Sequence, residues 1–299
     1  MNSPLFANCL IGLTNCCWGL WGILDKKALD NSLPRNVMLI QYFLALPEII
    51  LLIAYMVLTN RTISINAPVA MWTSLGCISS LVAMVAYLLA MSRAEASFVL
   101  GITASYPLVM QFFAASFLGE TLVGNRLIGA GLIGAGVFAV GHSAGAKIAQ
   151  KGKQEQVIIL VCVILATVGW GIHGLFDKKA VGYASPLMVS LIRCVIDFLT
   201  FVVMYFVLRT QKPAPAIGSR RTWMLCGLSA VCMFGGYIAY LKALMFYTAS
   251  YVIVITGCYP LLMYIFALVF LKEKLNPVRL FGVILVVAGG ALVQLTQSQ

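Results

Sequence analysis

Residues 18–29, Trp-Gly-Leu-Trp-Gly-Ile-Leu-Asp-Lys-Lys-Ala-Leu, return at 170–181 as Trp-Gly-Ile-His-Gly-Leu-Phe-Asp-Lys-Lys-Ala-Val. The offset of 152 is about half of the 299-residue chain, and the first Trp, both Gly, the Asp, both Lys and the Ala recur in place. A fixed-offset repeat constrains the architecture before any local reading does. The echo continues at an offset of 153, which implies one inserted residue. Tyr87-Leu-Leu-Ala pairs with Tyr240-Leu-Lys-Ala, Ala96-Ser97 with Ala249-Ser250, Tyr106-Pro107-Leu108 with Tyr259-Pro260-Leu261, and Glu120 with Glu273. Asp-Lys-Lys and Tyr-Pro do not recur in register through apolar composition alone. The chain is two copies of one unit, 1–143 and 156–299, joined by a polar hinge at 144–155.

The unit is built for lipid. The chain is 62% hydrophobic and 10% charged, with a mean hydropathy of +0.98. Soluble domains carry about 25% charged residues, so a chain of this length and composition cannot present a polar surface to water. A polytopic membrane protein is the class that fits. The net charge of +11 does not point to nucleic acid, because the Lys and Arg are scattered between apolar segments and form no basic patch. They read as membrane-flanking charges. The nine cysteines show no C-x-x-C spacing, and most lie inside apolar segments. They read as small buried hydrophobes rather than a disulfide framework or a metal site. The sequence calls for no cofactor, and no cleavable signal peptide is expected.

A hydrocarbon core of about 30 Å needs about 20 apolar residues as a helix. Ten segments qualify: roughly 5–24, 37–59, 69–91, 96–118 and 124–143, then 156–176, 187–208, 222–244, 249–270 and 277–295. The fold class is therefore all-α, with ten transmembrane helices as two five-helix repeats. Five is odd, so the second repeat enters the membrane from the opposite side, and the repeats are inverted. Inverted repeats are the plan of many secondary transporters, because two similar halves in opposite orientation supply two access states of similar energy. Loops after odd-numbered helices hold fourteen Lys or Arg and loops after even-numbered helices five. By the positive-inside rule the basic-rich side is cytoplasmic, which places both termini outside.

Trp-Gly in the first helix of each repeat, Tyr-Pro in the fourth and Leu118-Gly119-Glu120 before a Gly-rich fifth resemble the drug/metabolite transporter superfamily, in its ten-helix, EamA-like branch. The resemblance covers nearly the whole chain. It implies a bacterial inner-membrane exporter or importer of metabolites with both termini cytoplasmic, the reverse of the side implied by the loop charges.

The residues that could carry chemistry lie at membrane depth. Glu48 follows Pro47 near the middle of the second helix, where a carboxylate costs roughly 2.5–3.5 kcal/mol on insertion scales. It must be paired, hydrated or protonated, and it is the candidate for proton coupling. Gln41 lies two turns earlier on the same face. Arg193 and Asp197, four apart in the seventh helix, can pair on one face. They read either as a coupling or substrate site, with Glu48 a further possible partner of Arg193, or as a structural ion pair. Trp18 and Trp21, matched by Trp170 and His173, read as interface anchors or as the lining of a substrate path. Tyr106 and Tyr259 adjoin helix-breaking prolines, which free carbonyls where a cavity can use them. With Tyr87 and Tyr240 they are expected to line that cavity. Asp25-Lys-Lys and Asp177-Lys-Lys read as caps and anchors of helix ends, or as a gate. Lys242 reads as snorkelling to the surface or meeting an anionic group. The face Gly129–Gly136 serves packing or dimerisation.

These residues describe a secondary transporter of a small metabolite, amino-acid-like or an organic cation, working by alternating access. It would be driven by protons through Glu48, or it would be an uncoupled facilitator or exchanger. The partners implied are a small-molecule substrate, protons and the lipid bilayer, in a monomer or homodimer, without nucleic acid. No ATP-binding G-x-x-x-x-G-K-[ST] loop is present. Two distant histidines and no H-E-x-x-H argue against a membrane enzyme, and no long specialised loop suggests a receptor or structural protein.

Overall fold

The computed structural model describes residues 4–94, 99, 102–103, 105–119, 124–142, 151–209, 218–270 and 276–295. The Ala96-Ser97 echo, Glu120, Glu273, most of the 144–155 hinge and most of the 209–221 loop lie outside the described residues. Among the described residues twelve helices form ten spans. The first half has α1 (Pro4–Leu29), α2 (Pro34–Phe43) with α3 (Ala45–Leu58), α4 (Ala67–Arg93), α5 (Tyr106–Leu118) and α6 (Gly124–His142). The second has α7 (Lys153–Val181), α8 (Pro186–Arg209), α9 (Arg220–Ala243), α10 (Ala249–Thr256) with α11 (Tyr259–Phe270), and α12 (Pro277–Leu295). Among the described residues no strand occurs, and seven spans are long and apolar enough to cross a membrane, with shorter apolar helices at 108–118 and 277–292.

Spans two and nine are each broken beside a proline. Pro47 has no N–H for the Phe43 carbonyl, and α2 stops at Phe43. Pro260 likewise leaves the Thr256 carbonyl without its helical donor, and α10 stops at Thr256. The backbone freed near the second break is partly satisfied by Asn15, whose Nδ2 donates to the Ile255 carbonyl at 3.1 Å. This is how broken helices persist at membrane depth. Helix starts repeat as well. Asn66 caps α4 by accepting from the Val69 N–H, and Ser219, its counterpart at an offset of 153, caps α9 by accepting from the Thr222 N–H.

Packing exchanges partners between the halves. Span one packs on span eight, and span six packs on span three; span one also meets span nine, as span six meets span four. Spans five and ten pair with each other, and so do two and seven. Each of these pairings maps onto another, or onto itself, when the halves are swapped, which is the signature of a pseudo-two-fold axis. The glycines show the same symmetry atom by atom. A Cβ on Gly136 would lie 2.4 Å from the Gly282 carbonyl, and one on Gly289 would lie 2.5 Å from the Gly129 carbonyl. The small-residue face of span five is therefore spent on close packing against span ten.

Candidate functional site

Polar side chains converge where spans one, two, three, six, seven and eight meet. In α7, Trp170, His173, Gly174 and Asp177 fall at i, i+3, i+4 and i+7, a single stripe. In α1, Trp18, Trp21, Gly22 and Asp25 repeat it. Asp25 and Asp177 are 0% and 1% exposed, so the reading of both as helix-end caps is corrected. The helices run a further turn, to Leu29 and Val181, and turn the carboxylates inward. The neighbouring lysines do the capping, on other helices. Lys178 Nζ donates to the Leu244 and Tyr247 carbonyls at 2.7 and 2.8 Å, and its counterpart Lys26 Nζ donates to the Met91 carbonyl at 3.4 Å. A cation over the last carbonyls of a helix also complements its dipole.

Arg193 is the hub of the second-half cluster. Its Nη1 donates to His173 Nε2 at 2.8 Å and its Nη2 to Ser80 Oγ at 2.9 Å. Its Nε lies 3.5 Å from Asp197 Oδ2, and its guanidinium sits 4.3 Å from the centre of the Tyr237 ring. The expected Arg193–Asp197 pair thus forms, whereas among the described residues Glu48 makes no ion pair with Arg193. Glu48 is half-buried and accepts from Cys194 Sγ at 3.5 Å. His173 Nδ1 faces the Gly76 carbonyl at 3.1 Å. A Cβ at Gly76 would stand 3.3 Å from that nitrogen, a tight contact. Asp177 Oδ1 accepts from the Tyr237 hydroxyl at 2.8 Å.

The first-half cluster is simpler. Asp25 Oδ1 accepts from Gln41 Nε2 at 2.7 Å and from Ser229 Oγ at 2.6 Å. Gln41 stands at the repeat position of Arg193, and Trp21 at that of His173. Asp25, Asp177, Asp197 and Glu48 are four carboxyls around one guanidinium, so the region is formally −3 if all ionise.

Two cavities share this wall. The first, of about 550 Å³, is bounded mainly by aromatic rings: Trp18, Trp21, Tyr106, Trp170, Tyr240 and Tyr259, with His173 and Arg193 on one side. The second, of about 680 Å³, is lined by Gln41, Glu48 and Asp197 among others. Trp21, Ser80, Arg193, Met233 and Tyr237 line both. The tryptophans therefore face inward, and the interface-anchor reading is set aside. Tyr87 lines neither cavity. It is fully buried behind the wall, its ring 5.4 Å from Trp21 and 5.2 Å from Trp170. The latter contact mirrors Trp18 on Tyr240 at 5.5 Å. Tyr106 reaches Thr256 at the break of span nine, Oη to Oγ1 at 3.4 Å. Lys242 is exposed, with Nζ 5.3 Å from the Phe6 ring centre, and takes no part in the cluster.

Sequence reasoning read Asp25 and Asp177 as helix-end caps and anchors or as a gate, and missed Ser80, Ser229 and Tyr237. A signal existed for the two aspartates, which complete a repeated stripe that begins at a tryptophan. Ser80, Ser229 and Tyr237 carried none, because a lone hydroxyl in an apolar helix looks alike whether it faces lipid or a partner. Among the described residues no group of three or more His, Cys, Asp or Glu is placed to hold a metal ion.

The EamA-like transporter family profile matches this chain twice, over residues 5–141 and 157–295. The chain belongs to the EamA-like transporter family. It is thus a multi-pass membrane protein of the drug/metabolite transporter superfamily. A Sinorhizobium protein described as an uncharacterized transporter in the cobO 3′ region is 30% identical over 132 residues, spanning 43% of this chain and 91% of the relative. A protein of known crystal structure shares the fold over 99% of this chain and 100% of its own, with a TM-score of 0.74 and 17% identity.

Proposed function

We propose that this EamA-like chain moves a small metabolite across a bacterial inner membrane by alternating access at the aromatic cavity. The observation that carries the reading is the paired geometry: two halves with exchanged helix partners meet at a cavity whose walls come from both. Rocking one half against the other would open such a site to either side. Tryptophan and tyrosine faces suit an apolar or cationic body, and the polar side of the cavity suits a charged or hydrogen-bonding group. Amino-acid-like solutes and organic cations meet both demands. Glu48, half-buried in the second cavity and without an ion-pair partner among the described residues, is the group through which protons would drive the cycle.

Uptake and counterflow of labelled amino acids and small organic cations into proteoliposomes test this, with and without an imposed pH gradient. Accumulation against a solute gradient that collapses with the pH gradient supports coupled transport. Equilibration indifferent to pH supports a facilitator, and no flux of any member of the panel above protein-free liposomes overturns the reading for these solutes. Replacing Trp18 or Trp170 by Ala should weaken transport without unfolding the chain.

A further inference from the structure

Donor and acceptor counting around Arg193 leaves one hydrogen to be placed. The Gly76 carbonyl can only accept, so His173 Nδ1, 3.1 Å away, carries a hydrogen. A guanidinium can only donate, so His173 Nε2, 2.8 Å from Arg193 Nη1, presents its lone pair. The partners thus assign the neutral Nδ1–H tautomer. Asp177 Oδ2 lies 3.1 Å from the same Nε2 and has no other hydrogen-bond partner among the described residues, while its Oδ1 already accepts from Tyr237. An ionised Oδ2 would face a lone pair across that gap inside a buried site. A hydrogen on Oδ2 turns the contact into an O–H···N interaction in which the Asp177 O–H and the Arg193 N–H share the one Nε2 lone pair as a three-centre bond.

We propose that His173 and Asp177 share one exchangeable proton, and that its position decides whether Arg193 is held in the cluster or released toward a carboxylate group of the solute. With the proton on Oδ2, Nε2 accepts from Arg193, as in this structure. With the proton on Nε2, the pair becomes imidazolium and carboxylate, and the new N–H opposes the N–H of Arg193. The guanidinium then keeps Ser80 and Asp197 but loses its histidine anchor. The O–H bond breaks and the N–H bond forms within the pair, so charge balances without a further reactant. A carboxylate matches the freed fork of the guanidinium, while the aromatic rings take the rest of the solute. The consequence for transport rests on the function proposed above; the proton position does not.

The groups that face the pair are consistent with this. Span three presents Gly76, Cys77 and Ser80, span four Tyr106, span seven Arg193 and Asp197, and span eight Tyr237 and Tyr240; from span nine Ile253 packs at Gly174. Arg193 is the cation of this set and Asp197 its other acid. The first half cannot perform the exchange. Trp21 stands where His173 does, and an indole N–H donates but never accepts. Gln41, at the place of Arg193, carries no charge.

The chain has two histidines, His142 and His173, so nitrogen NMR of ¹⁵N-histidine-labelled His142→Gln protein in bilayers reads His173 alone. The expected spectrum at neutral pH is the Nδ1–H tautomer with Nε2 unprotonated. Removing the cation, as Arg193→Gln with Asp197→Asn to keep the cluster charge-balanced, should shift Nε2 to the protonated position. Adding Asp177→Asn to that background should return the ring to neutral. An Nε2–H tautomer in the His142→Gln protein, an unchanged ring after loss of Arg193, or an imidazolium that survives loss of Asp177 would each overturn the proposal. None of these readings requires a transported solute, so failure here leaves the transport reading standing, and failure of transport leaves the proton assignment standing.

Discussion

Arg193→Gln should be the most damaging single change in the cluster. The substitution removes a guanidinium that donates to His173 and Ser80, lies 3.5 Å from Asp197 and stacks on Tyr237. Hydrogen bonds to a charged group are each worth about 1.5–3 kcal/mol, and stripping a buried pair of one partner costs about 3–5 kcal/mol. These overlap and do not add, because both describe the same contacts. The Asp197 side chain keeps 22% exposure, so the stranded acid retains some hydration and the expected loss is at the lower end, about 3 kcal/mol. Asp197→Asn should cost less, about 1–2 kcal/mol, because Arg193 keeps its other partners. The double variant should be more stable than the sum of the singles predicts, with a coupling in the range of about 0.5–3 kcal/mol. Glu48 provides the control. It makes no ion pair with Arg193 among the described residues but shares a cavity and an electrostatic field with it, so Glu48→Gln should couple to Arg193→Gln more weakly than Asp197→Asn does. Reversible unfolding in mixed micelles, followed by tryptophan fluorescence, gives all these free energies. An Arg193→Gln protein within 1 kcal/mol of the parent, a value set by the low edge of these estimates, would refute the reasoning. A coupling to Arg193→Gln that is larger for Glu48→Gln than for Asp197→Asn would do the same.

Other consequences follow from the same contacts. Gly136→Ala and Gly289→Ala should each lose about 1–3 kcal/mol through overpacking, whereas Gly131→Ala, with nothing within 4 Å of its Cβ, should be neutral or gain up to about 1 kcal/mol of helix propensity; equal effects at all three would contradict the close packing of spans five and ten. Glu48→Gln should abolish the pH dependence of transport while leaving solute exchange largely intact, and a folded Glu48→Gln protein with unchanged pH dependence removes Glu48 from the coupling. A reporter fused at the C-terminus should read extracytoplasmic, as the loop charges require; a cytoplasmic signal would show that the positive-inside count fails for this chain.

The sequence by itself determined the architecture. A repeat at an offset of 152–153 and apolar segments of membrane length leave few alternatives, because a helix in lipid must satisfy its own backbone. An odd number of spans per repeat then forces inversion. Much of the site was legible for the same reason: a charge at membrane depth is costly enough to stand out, as Glu48, Arg193 and Asp197 do. What only the tertiary structure decided is which face each residue turns, and toward whom. Asp25 and Asp177 sit beside lysines at the edge of their hydropathy windows, and nothing local separates a helix-end cap from a buried acid. Helices that run one turn further, packing across the halves that brings Ser229 to Asp25, and packing of spans six and eight within the second half that brings Tyr237 to Asp177, turn them inward. Tyr87 and Tyr240 are equivalent in sequence, yet one backs the wall and the other lines the cavity. The repeats supply equal backbones, but Arg193 opposite Gln41 and His173 opposite Trp21 put the guanidinium and the imidazole lone pair on one side of the axis alone, and such differences act only through contacts between residues far apart in the chain.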